Sequence, residues 1–138
     1  MKKRSLFLFS ALAVMVFFLA LPEAPIAQET QVLKVETGVM CKKIEEREPV
    51  DIDSTFAADV GQLCCFTKIT GAENPTTIKH VWYFGDTERA NVELSVRSIS
   101  WRTHSSKRIM EHEVGAWRVE VLDSEGTVLK TIRFEITG

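Results

Sequence analysis

Apolar and polar residues alternate along most of the chain beyond residue 31. In the run 90–96, every second residue is Ala, Val or Leu, and the residues between them are polar. A period of two is typical of a β-strand with one buried face, since successive side chains point to opposite sides of a sheet. The same alternation predicts further strands at 32–41, 78–84, 99–104, 117–121 and 128–136. A short continuous apolar run predicts one more strand at 63–69.

Seven short strands with turns between them, in about a hundred residues, are typical of an immunoglobulin-like sandwich. We therefore predict an all-β fold over 32–138, an immunoglobulin-like antiparallel β-sandwich of about seven strands. The segments 42–61 and 105–114 do not alternate, so both are predicted to be connections. Pro49 also argues against a helix through the middle of the first segment.

The three tryptophans are predicted to anchor one core. Trp82, Trp101 and Trp117 each lie on the apolar side of an alternating run. Large aromatic side chains in such positions bury much apolar area in a small domain. An exposed aromatic platform for carbohydrate is the alternative, and the alternation argues against it.

The N-terminus has the order of an export signal. A basic start at 1–4 is followed by an uncharged apolar run at 5–21 and by small residues up to Ala27. This order predicts a signal peptide at 1–27 and a short linker at 28–31. The apolar run is also long enough for an uncleaved membrane anchor, which needs about 17–25 residues. Cleavage predicts a periplasmic or secreted domain, whereas an anchor predicts one tethered to the inner membrane but outside the cytoplasm.

The charge balance argues against two classes of partner. The whole chain has 17 Lys and Arg against 19 Asp and Glu. Loss of 1–27 would remove three of the basic and one of the acidic residues, leaving 14 against 18. An acidic domain is not expected to bind nucleic acid, because phosphate contacts need a basic surface. We expect contact with a membrane only if the leader remains attached.

Three cysteines are present, at Cys41, Cys64 and Cys65. Thiols outside the cytoplasm tend to pair, and adjacent residues on a strand point to opposite faces. If the first two predicted strands pair, Cys41 could therefore form a disulfide with either Cys64 or Cys65. Such a bond would close a loop of about 23 residues and contribute roughly 3 kcal/mol. The alternative is that all three are small buried hydrophobic residues.

Four cations form the candidate binding site. Arg102, Lys107, Arg108 and Arg118 lie on or beside two tryptophan-bearing runs. If those strands are neighbours, the four would make a basic strip able to receive a carboxylate, a phosphate or an acidic polymer. The alternative is a solvated surface whose cations pair with nearby carboxylates, each pair being worth less than about 1 kcal/mol.

The sequence predicts neither a hydrolase site nor a metal site. Ser105 or Ser106 with His104 could form part of a serine hydrolase site, but the chain has no nucleophile elbow of the G-x-S-x-G type. His80 is expected to be an ordinary hydrogen-bonded core or boundary histidine. Neither metal-binding spacing nor a cofactor motif is present, so no metal and no cofactor are predicted.

An ordered series of short motifs resembles the bacterial domain-of-unknown-function 2914 family. The series runs through 46–51, 66–67, 80–82, 101–107, 115–121 and 123–126. The resemblance implies an exported or membrane-tethered bacterial protein and implies no known activity. Cys64 and Cys65 stand where the family usually has larger apolar or aromatic residues, so a disulfide here would be particular to this protein.

The sequence therefore predicts a non-catalytic, exported envelope module. Its partner would be an envelope protein or polymer that binds a sheet face, with the four cations as contacts. A serine hydrolase and a purely structural spacer domain are the alternatives.

Overall fold

The computed structural model describes residues 31–138, so the predicted leader at 1–27 and all but the end of the linker lie outside the described residues. Regular structure in the described part is entirely β. The nine strands are β1 (Lys34–Glu45), β2 (Glu48–Ile52), β3 (Thr55–Ala57), β4 (Gln62–Thr70), β5 (Thr76–Phe84), β6 (Thr87–Val96), β7 (Ser100–Arg108), β8 (Gly115–Leu122) and β9 (Val128–Thr137). Among these residues, no helix is available to cross a membrane.

The strands form two sheets. One sheet has the order β2-β1-β4-β7 and the other the order β3-β9-β8-β5-β6. The predicted all-β fold built from two layers is confirmed. The structure has nine strands instead of about seven, and β3 runs parallel to β9 while every other paired strand is antiparallel.

The prediction of a connection over 42–61 is wrong, because this segment holds the end of β1 and all of β2 and β3. A tight hairpin joins β1 to β2, with Glu45 opposite Glu48. Its two turn residues, Glu46 and Arg47, have φ of 49° and 67°. Hairpin turns with two positive φ values normally use Asn-Gly or Gly-rich pairs. The charged pair at this turn is not such a signal, so the turn could not be predicted from the sequence. Pro49 is tolerated because β2 is an edge strand.

The predicted connection at 105–114 is also partly wrong, since β7 continues to Arg108. The inward positions of β7 include Thr103, Ser105 and Lys107, which are polar. The alternation of apolar and polar residues therefore fades although the strand continues.

The core lies between the two sheets. The prediction that the tryptophans anchor this core is confirmed for two of the three. Trp82 and Trp117 are buried, and both pack against Phe134. Trp101 is only half-buried and contacts the core from its border, because β7 is an edge strand. Fully buried aliphatic side chains fill the rest of the core, including Leu63, Ile69, Ile78, Val119, Val121 and Ile136.

Candidate functional site

The four cations of the predicted basic strip do not lie together. Arg102, Lys107 and Arg108 are on β7, whereas Arg118 is on β8. These strands belong to different sheets, so they are not neighbours. The condition for a continuous strip is therefore not met, although three of the four residues share one strand.

The side chain of Arg118 makes its contacts within its own sheet. Its Nη1 donates to the carbonyl oxygen of Gly85 at 2.6 Å, and its Nε donates to Oε1 of Glu120 at 3.3 Å. The guanidinium also lies over the Tyr83 ring, 4.1 Å from the ring centre, which is a cation–π contact. Nη1 is 3.7 Å from a carboxylate oxygen of Asp86. Arg118 thus fastens the β5–β6 turn and covers the ring of Tyr83.

Arg102 reaches the β1–β2 hairpin. Its Nη1 is 3.1 Å from Oε1 of Glu48. In the sheet, Arg102 lies in line with Lys68 and Thr37, whereas Glu48 pairs with Glu45, eight residues further along β1. Eight residues of straight strand span roughly 26 Å, which the two side chains cannot bridge. The hairpin must therefore curl back over the outer face of the four-stranded sheet.

Lys107 and Arg108, the last two residues of β7, have different surroundings. Lys107 is half-buried, and its Nζ donates to the carbonyl oxygen of Arg108 at 3.0 Å. Arg108 is exposed, and no carboxylate of the described residues lies within ion-pairing distance of it. It lines an open cleft of about 340 Å³ together with Asp59 and His112. Of the four predicted contacts, Arg108 is therefore the most readily available to a ligand.

The strand that carries these residues has a free edge. In the described structure, β7 pairs only with β4, and β6, the edge strand of the other sheet, pairs only with β5. The pairing of β7 runs without interruption from Ser100 to Arg108. The pairing of β6 is irregular beside Trp82 and Tyr83. Bulges blunt a sheet edge against further pairing, so β7 presents the more regular edge.

Ser105 and Ser106, the predicted nucleophile candidates, point to opposite sides of β7. Ser105 is 4% exposed and faces the interior. Its Oγ is 2.7 Å from Nδ1 of His80 and accepts a hydrogen bond from Nε1 of Trp82 at 3.0 Å. Ser106 and His104 are both exposed on the outer face. The structure therefore separates Ser105 from His104 and leaves Ser106 on the same face as His104.

His80 completes a buried polar network between the sheets, which confirms the prediction of a hydrogen-bonded core histidine. Its Nε2 is 3.0 Å from Oγ1 of Thr67 on β4, and its other ring nitrogen contacts Ser105 on β7. Burial, and to a smaller extent the nearby His104, lower the pKa of His80 to about 4. The imidazole is thus neutral at pH 7, with one ring nitrogen donating and the other accepting.

All three cysteines are free thiols. Cys41 lies directly opposite Cys64 in the β1–β4 pairing, whereas Cys65 lies opposite Met40. Cys65 packs in the main core, and Cys41 and Cys64 form a second small cluster with Phe66. Of the two predicted pairings, only that of Cys41 with Cys64 places both side chains on one face.

An ion pair that has a buried carboxylate was not predicted from the sequence. Glu113, in the β7–β8 connection, is fully buried, and its Oε2 lies 2.7 Å from Nη2 of Arg89. The N–H direction is not aligned for a hydrogen bond to that oxygen, but the opposite charges are in contact. Its Oε1 accepts the backbone N–H of Met110 at 2.9 Å. The only sequence signal is an acidic residue in a segment that otherwise reads as a loop.

The described residues contain no group of three or more His, Cys, Asp or Glu side chains arranged to hold a metal ion.

Comparison with known proteins confirms the resemblance to the family. The model of the family described as "Protein of unknown function (DUF2914)" matches residues 75–136, which is just under half of the chain. The motifs at 46–51 and 66–67 lie outside the matched residues. No curated protein matches the chain.

Solved structures give only a distant likeness. Among those that match are three of β-glucosidase from Listeria innocua, in complex with glucose, with isofagomine and, for a mutant, with laminaribiose. They are 11% or 12% identical, with a TM-score of 0.43, over 77% of this chain. The chain spans 16% of the length of those enzymes.

Proposed function

We propose that this protein is an exported, non-catalytic binding module of the bacterial envelope. Its ligand would be an extended, acidic segment of another envelope protein. This segment would add as a further strand to the free edge of β7. Export rests on the leader predicted at 1–27, and alkaline phosphatase fused after Gly138 should be active only if the domain leaves the cytoplasm.

We assign the fold to the immunoglobulin-like class. In one sheet, β1, β4 and β7 have the neighbour order of strands A, B and E of an immunoglobulin domain. In the other, β9, β8, β5 and β6 have the order G, F, C and C′. The strand order thus supports the assignment, with β2 and β3 as additions.

The observation that carries the proposal is the free, unbulged edge of β7. An edge strand offers a row of unpaired N–H and C=O groups to another chain. Strand addition uses those groups for affinity and the neighbouring side chains for specificity. The strand β7 is nine residues long, and the cleft beside Arg108 lies where it ends.

The charge of the strand favours an acidic partner. Arg102, His104 and Arg108 project from one side of β7, and all three are exposed. Lys107 adds a third cation to Arg102 and Arg108, next to Arg108 at the end of the strand. Arg102 is held by Glu48 in an exposed pair, which an incoming carboxylate could replace at little cost, since such pairs are worth less than about 1 kcal/mol. Carboxylates on alternate residues of an added strand would meet these cations.

A binding measurement with defined peptides tests the proposal. A fluorescent octapeptide of alternating Glu and Val should bind the purified protein, as followed by anisotropy, and should perturb backbone amide signals along 100–108. The same peptide with N-methylated amides should not bind, because it cannot form the ladder. The substitution Arg108→Glu should weaken binding by roughly fivefold or more, since it places like charges together.

Arg133→Glu is the matched control. Arg133 is an exposed arginine on β9, in the other sheet, so its reversal should leave binding unchanged. Equal binding of a Lys-Val peptide, or of the N-methylated peptide, would contradict strand addition by an acidic segment. Labelling by a serine-reactive phosphonate that is lost in Ser106→Ala would contradict the non-catalytic part of the proposal.

A further inference from the structure

Two of the three cysteines occupy directly opposite positions on neighbouring strands. Cys41 on β1 is the register partner of Cys64 on β4. Opposite residues of an antiparallel pair have Cα atoms about 4.5–5.5 Å apart, within the roughly 4.4–6.8 Å that a disulfide spans. Cys65 pairs with Met40 and belongs to the main core on the other face. The register thus places Cys41 and Cys64 at positions that a disulfide can join, and it places Cys65 on the other face.

The pair lies in a small cluster on the outer face of the four-stranded sheet. Cys41 is fully buried and Cys64 is 6% exposed. Sγ of Cys41 donates to the carbonyl oxygen of Cys64 at 3.7 Å, and Sγ of Cys64 is 3.3 Å from Oγ of Ser106. Burial, and then the nearby Cys64, raise the pKa of Cys41 to about 11. Because the thiolate is the reactive form, Cys41 reacts slowly while it stays covered.

The cover is the curled β1–β2 hairpin. Ile44 of this hairpin packs against the cluster, and Glu48 fastens the hairpin to β7 through Arg102. The two charged side chains of that pair are 41% and 58% exposed, so the fastening is weak. Elements held by few buried contacts open locally far more often than the whole domain unfolds. The two thiols thus lie beneath a hairpin that can open locally.

We propose that Cys41 and Cys64 form a redox pair that a disulfide-bearing oxidant converts to an intramolecular disulfide when the hairpin opens. The less buried Cys64 attacks the oxidant as a thiolate, forms a mixed disulfide and releases one thiol. Cys41 then attacks the Cys64 sulfur and releases the second thiol. The two cysteines lose two electrons and two protons, and the oxidant's S–S bond is reduced to two thiols, so the exchange balances.

Oxidised glutathione is the probe, and the full chain is the substrate. After incubation, alkylation in denaturant and intact-mass analysis, the wild type should lose two hydrogen atoms and carry one alkyl group, at Cys65. Cys65→Ser should still form the bond and carry none. Cys41→Ser and Cys64→Ser should not form an internal disulfide. Three alkylated thiols in the wild type, or a bond that survives Cys64→Ser, would overturn the proposal.

The rate of oxidation tests whether the hairpin controls access to the two thiols. Glu48→Gln removes the fastening to Arg102 and should speed oxidation roughly twofold to fivefold, the range expected for loss of an exposed ion pair. Glu45→Gln is the control, because Glu45 pairs with Lys43 inside the hairpin itself and should leave the rate unchanged. Equal rates for the wild type and Glu48→Gln would show that the hairpin does not control access.

Discussion

At the scale of single residues, His80 has the most constrained environment. Its side chain is fully buried, and both of its ring nitrogens have hydroxyl partners, Thr67 and Ser105. Both hydroxyls can donate or accept, so the neutral ring is satisfied in either tautomer. A protonated ring would bring a charge into the space between the sheets, which is why its pKa falls to about 4.

This pKa predicts that the domain loses stability in mild acid. The unfolded chain binds a proton on His80 near pH 6.5, whereas the folded chain does so only near pH 4. The contribution is therefore fully present above about pH 6.5, falls as the pH is lowered, and is lost by about pH 4. The change in the free energy of unfolding should be roughly 3 kcal/mol, measured by urea denaturation across this range.

Two glutamine variants separate His80 from the other titrating groups. His80→Gln should be less stable than the wild type at pH 8 but should show a shallower decline between pH 6.5 and pH 4. His112→Gln changes an exposed histidine and should keep the wild-type slope. A slope that is the same in all three proteins would show that His80 does not cause the acid sensitivity.

At the scale of elements, the β1–β2 hairpin is built on an unfavourable turn. Glu46 and Arg47 both adopt positive φ, which costs a residue with a side chain roughly 1–2 kcal/mol. Part of that cost is offset where the hairpin fastens to Arg102 and covers Cys41 and Phe66. The hairpin is thus held by what it packs against more than by its own turn.

Replacing Glu46-Arg47 by Asn-Gly should therefore stabilise the domain. Asn and Gly accept positive φ readily, and a gain of about 1 kcal/mol in the free energy of unfolding is expected. Thermal or urea unfolding would measure it. Gln-Gln at the same positions removes both charges without relieving the backbone and should give no gain. A similar gain from Gln-Gln would assign the effect to charge.

At the scale of the whole molecule, two hydroxyls, those of Thr67 and Ser105, connect the two sheets. Ser105 on β7 contacts His80 and Trp82, both on β5 of the other sheet. Polar groups rarely face each other across a sandwich core, and here each one has a partner. The network fixes how β7, an edge strand, sits against the opposite sheet.

Ser105→Ala should destabilise the domain by about 2–3 kcal/mol, because it leaves the Trp82 N–H and one nitrogen of His80 without partners in the core. Ser106→Ala is its matched control, since Ser106 is the next residue on the same strand and is exposed. Its cost should stay within about 0.5 kcal/mol. Equal losses in urea unfolding would mean that the contacts of Ser105 with His80 and Trp82 contribute nothing to stability.

The sequence by itself determined the β class, the central strands and the core tryptophans on β5 and β8. Those strands bury one face or both, so their apolar positions must follow a period of two. The same rule covers Trp82 and Trp117, which are buried as predicted. It fails at β2 and β3, which are only five and three residues long, and at the end of β7, where the inward residues are polar.

Only the tertiary structure decided which residues meet. Arg102 and Arg118 occupy similar polar positions in similar runs, yet their strands lie in different sheets. Cys64 and Cys65 are equivalent in the sequence, and only the β1–β4 register places Cys64 opposite Cys41. Periodicity indicates on which face of its strand a side chain lies. The residues that it meets on other strands are set by strand order and register, which depend on contacts between residues far apart in the chain.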